Sequence, residues 1–145
     1  MNMRTNDEDY HMIKPKKDDA IEDYLTFRPD TKIVDCTIRD GGLMNSHKFE
    51  DDFVKAVYQA NIAAGVDYME FGYKADVDQF NRDDFGKWKF TSEEDLRGIV
   101  GDNDSNLKIS VMADAGRTNM ERDILPKSES VIDMVRVACY IPSDS

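Results

Sequence analysis

Ile33-Val34-Asp35-Cys36-Thr37-Ile38-Arg39-Asp40-Gly41-Gly42 carries two signals in one short span. Its first half is apolar and β-branched, the composition of a buried strand. Its second half sets a guanidinium, Arg39, and a carboxylate, Asp40, at the end of that strand, directly before two glycines. Glycine there permits a tight turn or a positive φ, and lets a ligand approach the backbone closely. A charged pair on a glycine turn at the C-terminal end of a buried strand is where α/β folds keep their chemistry. The same residues would also serve as an Arg–Asp ion pair that closes a turn.

Downstream of this run the pattern alternates. A polar loop with Asn45, Ser46 and His47 precedes a helix predicted from about Glu50 to Ala64, with Glu50, Asp51 and Asp52 in the first turn, where the helix dipole favours negative charge. Phe53, Val57, Ala60 and Ala64 form its predicted apolar face, widened by Val54 and Tyr58, and Gly65 is its expected C-terminal cap. Asp67 to Phe71 reads as a second strand ended by Gly72. Thr91 with Glu94 gives a capping-box pattern for a second helix that stops near Gly101. Leu107 to Met112 reads as a third strand, and Met120, Ile124 and Leu125 signal a short third helix before Pro126. Met134 to Tyr140 reads as a fourth strand. Upstream, residues 1–30 read as a charged tail with a short amphipathic helix over Asp18–Phe27, ended by Pro29. Residues 31–145 form the α/β domain.

Bulk composition narrows the function. The chain has 145 residues, enough for one domain with a core. It carries 30 Asp+Glu against 19 Lys+Arg, a formal net charge of -11. With no basic stripe, nucleic acid and anionic membrane surfaces are excluded as expected partners. No apolar run approaches the roughly 20 residues of a membrane span. Met1 to Lys17 lacks the apolar core of a secretory signal. The two cysteines, Cys36 and Cys139, lie in apolar runs without CxxC spacing. That usage points to buried, reduced thiols in a cytoplasmic protein.

Strands alternating with helices argue for a parallel sheet with crossover helices. A complete (β/α)8 barrel needs eight strands and about 250 residues. Four strands in this length leave two arrangements open, a small open sheet or the N-terminal half of a barrel.

Three segments carry a resemblance. Asp35 to Gly41 resembles the Asp-x-Thr-Leu-Arg-Asp-Gly signature of the metal-dependent aldolase and acyltransferase TIM barrels. That group includes 4-hydroxy-2-oxovalerate aldolase, hydroxymethylglutaryl-CoA lyase, and the isopropylmalate and homocitrate synthases. Ala64 to Gly72 is similar to their second strand, which ends in Glu-x-Gly, and Val135 to Ala138 resembles the fourth strand of the hydroxy-oxovalerate aldolases. The resemblance spans about residues 31 to 140. It implies a TIM-barrel fold of which this chain covers the first four β/α units.

The resemblance also implies roles. Asp40 would be a carboxylate ligand of a divalent cation, Mn²⁺ or Mg²⁺, ions that favour oxygen donors. Arg39 would neutralise the enolate formed as a carbon–carbon bond breaks in a 2-oxo acid such as pyruvate's aldol adducts. Glu70 would line the same pocket; its plainer reading is a solvated strand-end carboxylate. Two departures stand out. The family's general-base histidine, two places after the first glycine, is Leu43 here, which cannot transfer a proton. The family's His-x-His metal pair lies on a later strand, and the two histidines of this chain, His11 and His47, form no such pair. Metal binding is therefore expected in the complete barrel and weak or absent in this chain. His47, in a loop, is expected to be exposed, with replacement of the missing general base as its alternative role.

Other residues are candidates for substrate binding. Tyr73 to Phe90 is long for a βα loop and holds Phe80, Phe85, Trp88 and Phe90, which suits a substrate lid or equally an aromatic plug or oligomer contact. Lys74 follows the second strand directly, as a Schiff-base lysine or, more commonly, a solvated one. Arg136 inside the fourth strand needs an anionic partner, with Glu70 and Asp40 as the candidates. Asp114 suits a turn or a helix cap. Three functions follow: an aldolase-type lyase, a Claisen-type acyl-CoA synthase, or a non-catalytic half-barrel used for binding or assembly. A half-barrel exposes strand edges, so self-association or pairing with the missing half is expected.

Overall fold

The computed structural model describes residues 30–139. The helix expected over 18–27 and Tyr140 of the expected fourth strand lie outside them. The chain divides into two compact units, Met1–Thr31 and Lys32–Ser145, and every described element belongs to the second.

Strand β1 is only Val34–Asp35. The expected strand through Ile38 ends early because Asp35 turns its carboxylate back on the chain. It accepts hydrogen bonds from the Thr37 amide at 3.3 Å and the Thr37 hydroxyl at 2.7 Å. Such a local bond offers the backbone an alternative to the ladder. Helix α1 follows at once, Thr37–Asn45. Arg39, Asp40 and both glycines therefore sit in a helix, not on a glycine turn, and neither glycine has positive φ. Gly42 is required for a different reason: a Cβ there would lie 2.1 Å from His47 Nδ1. The left-handed turn falls later, at Ser46 (φ 56°) and His47 (φ 61°).

Helix α2 spans Asp51–Ala64 and ends at Gly65, whose φ of 70° provides the left-handed cap. Its buried face is Val54, Tyr58 and Asn61: the expected widening residues Val54 and Tyr58 form its centre, Val57 packs at its edge, and Phe53, Ala60 and Ala64 are exposed. Tyr58 anchors that face, its hydroxyl 2.7 Å from Asn103 Oδ1. Phe53 is left half-exposed and stacks on Phe49 instead. Strand β2 is Tyr68–Tyr73, and a 3₁₀ turn at Lys87–Lys89 leads into helix α3, Glu93–Val100. The capping box that opens α3 uses Ser92 and Asp95, one residue later than Thr91 and Glu94. Strand β3 is Lys108–Asp114, the single turn α4 is Met120–Asp123, and strand β4 is Met134–Ala138.

The four strands pair in parallel, in the order β1-β2-β3-β4. The fold is α/β with a four-stranded parallel sheet, open at β1 and β4 among the described residues. Side chains alternate across it. Met69, Phe71, Ile109, Val111 and Val135 pack with Val54, Tyr58, Leu96, Ile99 and Val100 of the helices. The alternate positions Glu70, Ser110 and Arg136 share the opposite face, where their side chains meet. Cys36 and Cys139 are free thiols; Cys36 is half-buried, but Cys139 lies past the end of β4 and is exposed. Among the described residues no helix is long and apolar enough to cross a membrane.

Candidate functional site

Glu70 sits between Met69 and Phe71, whose side chains are claimed by the helix-side core. The strand's period of two turns Glu70 to the other face, where it is fully buried. Burying an isolated carboxylate is costly, and it is tolerated because two guanidinium groups converge on it. Arg39 Nε lies 2.5 Å from Oε1. Arg136 Nε lies 2.6 Å from Oε2, and its Nη2 lies 2.7 Å from Oε1, a two-pronged contact. The Ser110 hydroxyl donates to Oε2 at 3.5 Å and the Cys36 thiol to Oε1 at 3.7 Å. Arg39 also pairs with the Asp40 carboxylate through Nη1. Of its two candidate partners, Arg136 takes Glu70.

The charges of this cluster hold each other in place. Burial pushes the Glu70 carboxyl up, but hydrogen bonds from Arg136 and Arg39 outweigh it and hold the group below the usual glutamate range. Burial pulls Arg39 down, while bonds to Glu70 and Tyr73 carry it above the ordinary arginine value. Arg136 is likewise raised, by Glu70 against its burial. Burial and the Glu70 charge push the Cys36 thiol up, so it stays protonated and is not a nucleophile at neutral pH. The buried Glu70 carboxylate lies between the two guanidiniums, and the exposed Asp40 carboxylate offsets the remaining positive charge from the rim.

The other predicted site residues divide. Asp40 is exposed, at the rim of the cluster. Among the described residues no group of three or more His, Cys, Asp or Glu is placed to hold a metal ion. Both Glu70 oxygens are committed to arginines, so Asp40 stands as one carboxylate, and these residues do not by themselves fit a divalent cation. Leu43 is exposed. Trp88 does not line the cluster. It is fully buried in the core, 5.9 Å from Phe71 between ring centroids, with its indole N–H donating to the Phe49 carbonyl at 3.3 Å. Lys74 is buried but lines a separate cavity with Thr91, Glu93 and Arg122. Asp114 ends β3 and is buried, instead of standing in a loop.

His47 departs furthest from expectation. It is 2 % exposed, edge-on to Tyr73 at 5.4 Å and tilted against Phe85 at 6.3 Å. Its Nδ1 is buried with no hydrogen-bond partner among the described residues. The sequence signal was the glycine five residues earlier, since Gly42 leaves the space that the ring fills. Burial, helped by the Lys89 charge, lowers the His47 pKa from 6.5 to about 4. The unfolded chain thus binds this proton at higher pH than the folded one. The neutral ring's contribution is complete above pH 6.5 and is lost as pH falls toward 4. About 2 kcal/mol should disappear between about pH 7.5 and 5. Urea unfolding midpoints at the two pH values measure it, and His47→Gln should flatten the difference. An equal drop in the variant would assign the effect elsewhere.

No family model matches the chain, and no curated protein matches it. A solved structure does, a crystal structure of "the N-terminal domain of a putative aldolase from Bacteroides vulgatus". The two share 30% identity with a TM-score of 0.58, over 74% of this chain and 35% of the solved one. This chain has an aldolase-like fold. It spans about a third of the length of the solved chain. In this chain the Arg39–Glu70–Arg136 cluster lies on the parallel sheet, with Arg39 just beyond β1.

Proposed function

We propose that this chain is the N-terminal half of an aldolase-type (β/α)8 barrel that cleaves a carbon–carbon bond in a 2-oxo acid through an enolate. The observation that carries this reading is the pair of guanidiniums fixed by one buried carboxylate, Arg39 and Arg136 on Glu70. The fold likeness to a protein described as an aldolase supports it.

The chemistry follows from charge. When the bond between C3 and C4 of a 4-hydroxy-2-oxo acid breaks, the electron pair moves to C2–C3 and its oxygen, and negative charge grows there. Arg39 is held by Glu70 before any substrate arrives, so it meets that charge without reorganising. Arginine remains cationic throughout, which suits a group that stabilises charge and moves no proton. Arg136, on the same carboxylate, adds to the positive potential that draws a 2-oxo acid's carboxylate. Glu70 serves as a positioning residue, since both of its oxygens are occupied. A proton acceptor for the 4-hydroxyl must come from elsewhere than Leu43. A divalent cation, Mn²⁺ or Mg²⁺, would act as a Lewis acid on the 2-oxo group, but it would need ligands beyond Asp40.

The test is release of a 2-oxo acid from 4-hydroxy-2-oxo acids, followed by coupled NADH oxidation, with the protein in the form its gene encodes. Arg39→Ala should lower kcat/KM by about 10²-fold or more. Equal turnover in that variant removes Arg39 from the mechanism. A second arm supplies acetyl-CoA with a 2-oxo acid, because Claisen-type synthesis uses the same enolate stabilisation. Background rates in both arms would favour a non-catalytic half-barrel.

A further inference from the structure

Lys74 follows β2 directly and is 5 % exposed. Its backbone is pinned, the amide donating to the Met112 carbonyl at 2.8 Å and the residue bridging to Phe90. Its side chain lines a cavity of about 330 Å³ between the end of β2, the start of α3 and α4. Among the described residues its amine makes no hydrogen bond and no ion pair within 4 Å. The stem of Lys74 is buried while its amine opens onto the cavity without a direct partner, so a ligand in the cavity can meet it.

The walls indicate which ligand. Arg122 is committed to Asp76 at 2.7 Å, Asp78 at 3.0 Å and Asp123 at 2.8 Å. Arg82 lies over the Phe90 ring at 5.4 Å. The first turn of α3 carries Glu93, Glu94 and Asp95, and the capping box already engages the Asp95 amide. These carboxylates repel an anion, so the cavity suits an uncharged ligand. Ala75, Val77, Phe90 and Leu125 add apolar surface for a short carbon chain.

We infer that Lys74 Nζ forms an imine with a small uncharged aldehyde or ketone admitted to this cavity. The amine's lone pair attacks the carbonyl carbon, one nitrogen proton passes to the carbonyl oxygen to give a carbinolamine, and the second follows as the hydroxyl departs. Loss of that oxygen as water leaves the C=N bond, with no oxidant or reductant consumed. Glu94 lines the same cavity and offers a carboxyl to relay the proton. Burial also holds the amine below the ordinary lysine range, against the opposing charges of Glu93, Asp123 and Asp95, which raises the fraction with a free lone pair. The site shares no lining residue with the Arg39–Glu70–Arg136 cluster and does not depend on its function.

The test is reductive trapping of the full chain with propanal and cyanoborohydride at limiting aldehyde, followed by peptide mapping by mass spectrometry. Lys74 should be alkylated about tenfold faster than the exposed Lys55 and Lys108, the preference expected when the cavity holds the aldehyde beside its amine. The preference should vanish in concentrated urea, a control that needs no variant. Lys74→Arg should lose the preferred adduct while the exposed lysines keep theirs. Labelling of Lys74 at or below the level of exposed lysines overturns the inference. So does a preference that survives unfolding, or one that persists elsewhere at the same rate in Lys74→Arg.

Discussion

Glu70→Gln is expected to lower the unfolding free energy by about 3 kcal/mol, the low end of the cost of removing one partner from a buried ion pair. The substitution keeps the shape of the side chain but leaves Arg39 and Arg136 facing each other without the charge that joins them. Arginine cannot relieve this by losing a proton. The low end applies because Arg136 is 38 % exposed, so water screens part of the repulsion. Arg136→Met should cost less, since the Arg39–Glu70 pair it leaves behind is neutral. Urea unfolding of the three proteins at neutral pH gives the comparison, and the order of the two variants is the sharper test. A Glu70→Gln midpoint equal to wild type would mean that the cluster does not hold the sheet. Acid should act in the same direction. The Glu70 carboxyl is depressed in the folded state, so its contribution is present above the ordinary glutamate value of 4.5 and is lost as pH falls through the lower folded value.

Gly72→Ala should be at least as damaging, through packing instead of charge. Gly72 lies within β2, and a Cβ there would stand 2.0 Å from the Trp88 carbonyl oxygen and 2.5 Å from Thr91 Oγ1. The obstacle is backbone, so no rotamer change removes it. The strand and the Lys87–Lys89 turn would have to separate. That would strain the Thr91 amide bond to the Tyr73 carbonyl and the Ala75 amide bond to the Lys89 carbonyl, 2.9 and 3.1 Å long. It would also pull Trp88 from Phe71. Overpacking of this kind costs about 1–3 kcal/mol, and the rigid obstacle points to the upper end or beyond. Gly98→Ala is the matched control. A Cβ there meets nothing within 4 Å, and alanine in a helix should be neutral or stabilising by about 0.5–1 kcal/mol. Similar midpoints for Gly72→Ala and Gly98→Ala would show that the β2 contact is loose.

Much of the fold was legible locally. An aromatic and apolar run before Gly72 marked β2, β-branched runs marked β3 and β4, and Gly65 and Gly101 marked the ends of α2 and α3. These signals are short-range, because caps and periodicity act within a turn or two of chain. Thr37 to Gly42 was misread because a brief apolar run suits strand and helix alike, and the Asp35–Thr37 bonds tipped it to helix. The α2 face centred on Val54 and Tyr58 because contacts distant in sequence, such as Tyr58 with Asn103, selected it.

By itself the sequence determined the order of the elements, the parallel α/β class, and the presence of Arg39, Glu70 and Arg136 at strand positions or beside them. The sequence also named Glu70 as a candidate partner of Arg136; tertiary structure decided that Arg136 takes Glu70 and not Asp40, and that Arg39 converges on the same carboxylate. It also decided that His47 and Lys74 are buried and that Trp88 belongs to the core. The physical reason is that burial and pairing are properties of the space between elements. A lysine or a tryptophan in a loop carries no local mark of which neighbours will exclude water from it, and for His47 the one mark was Gly42, whose missing side chain leaves room for the ring.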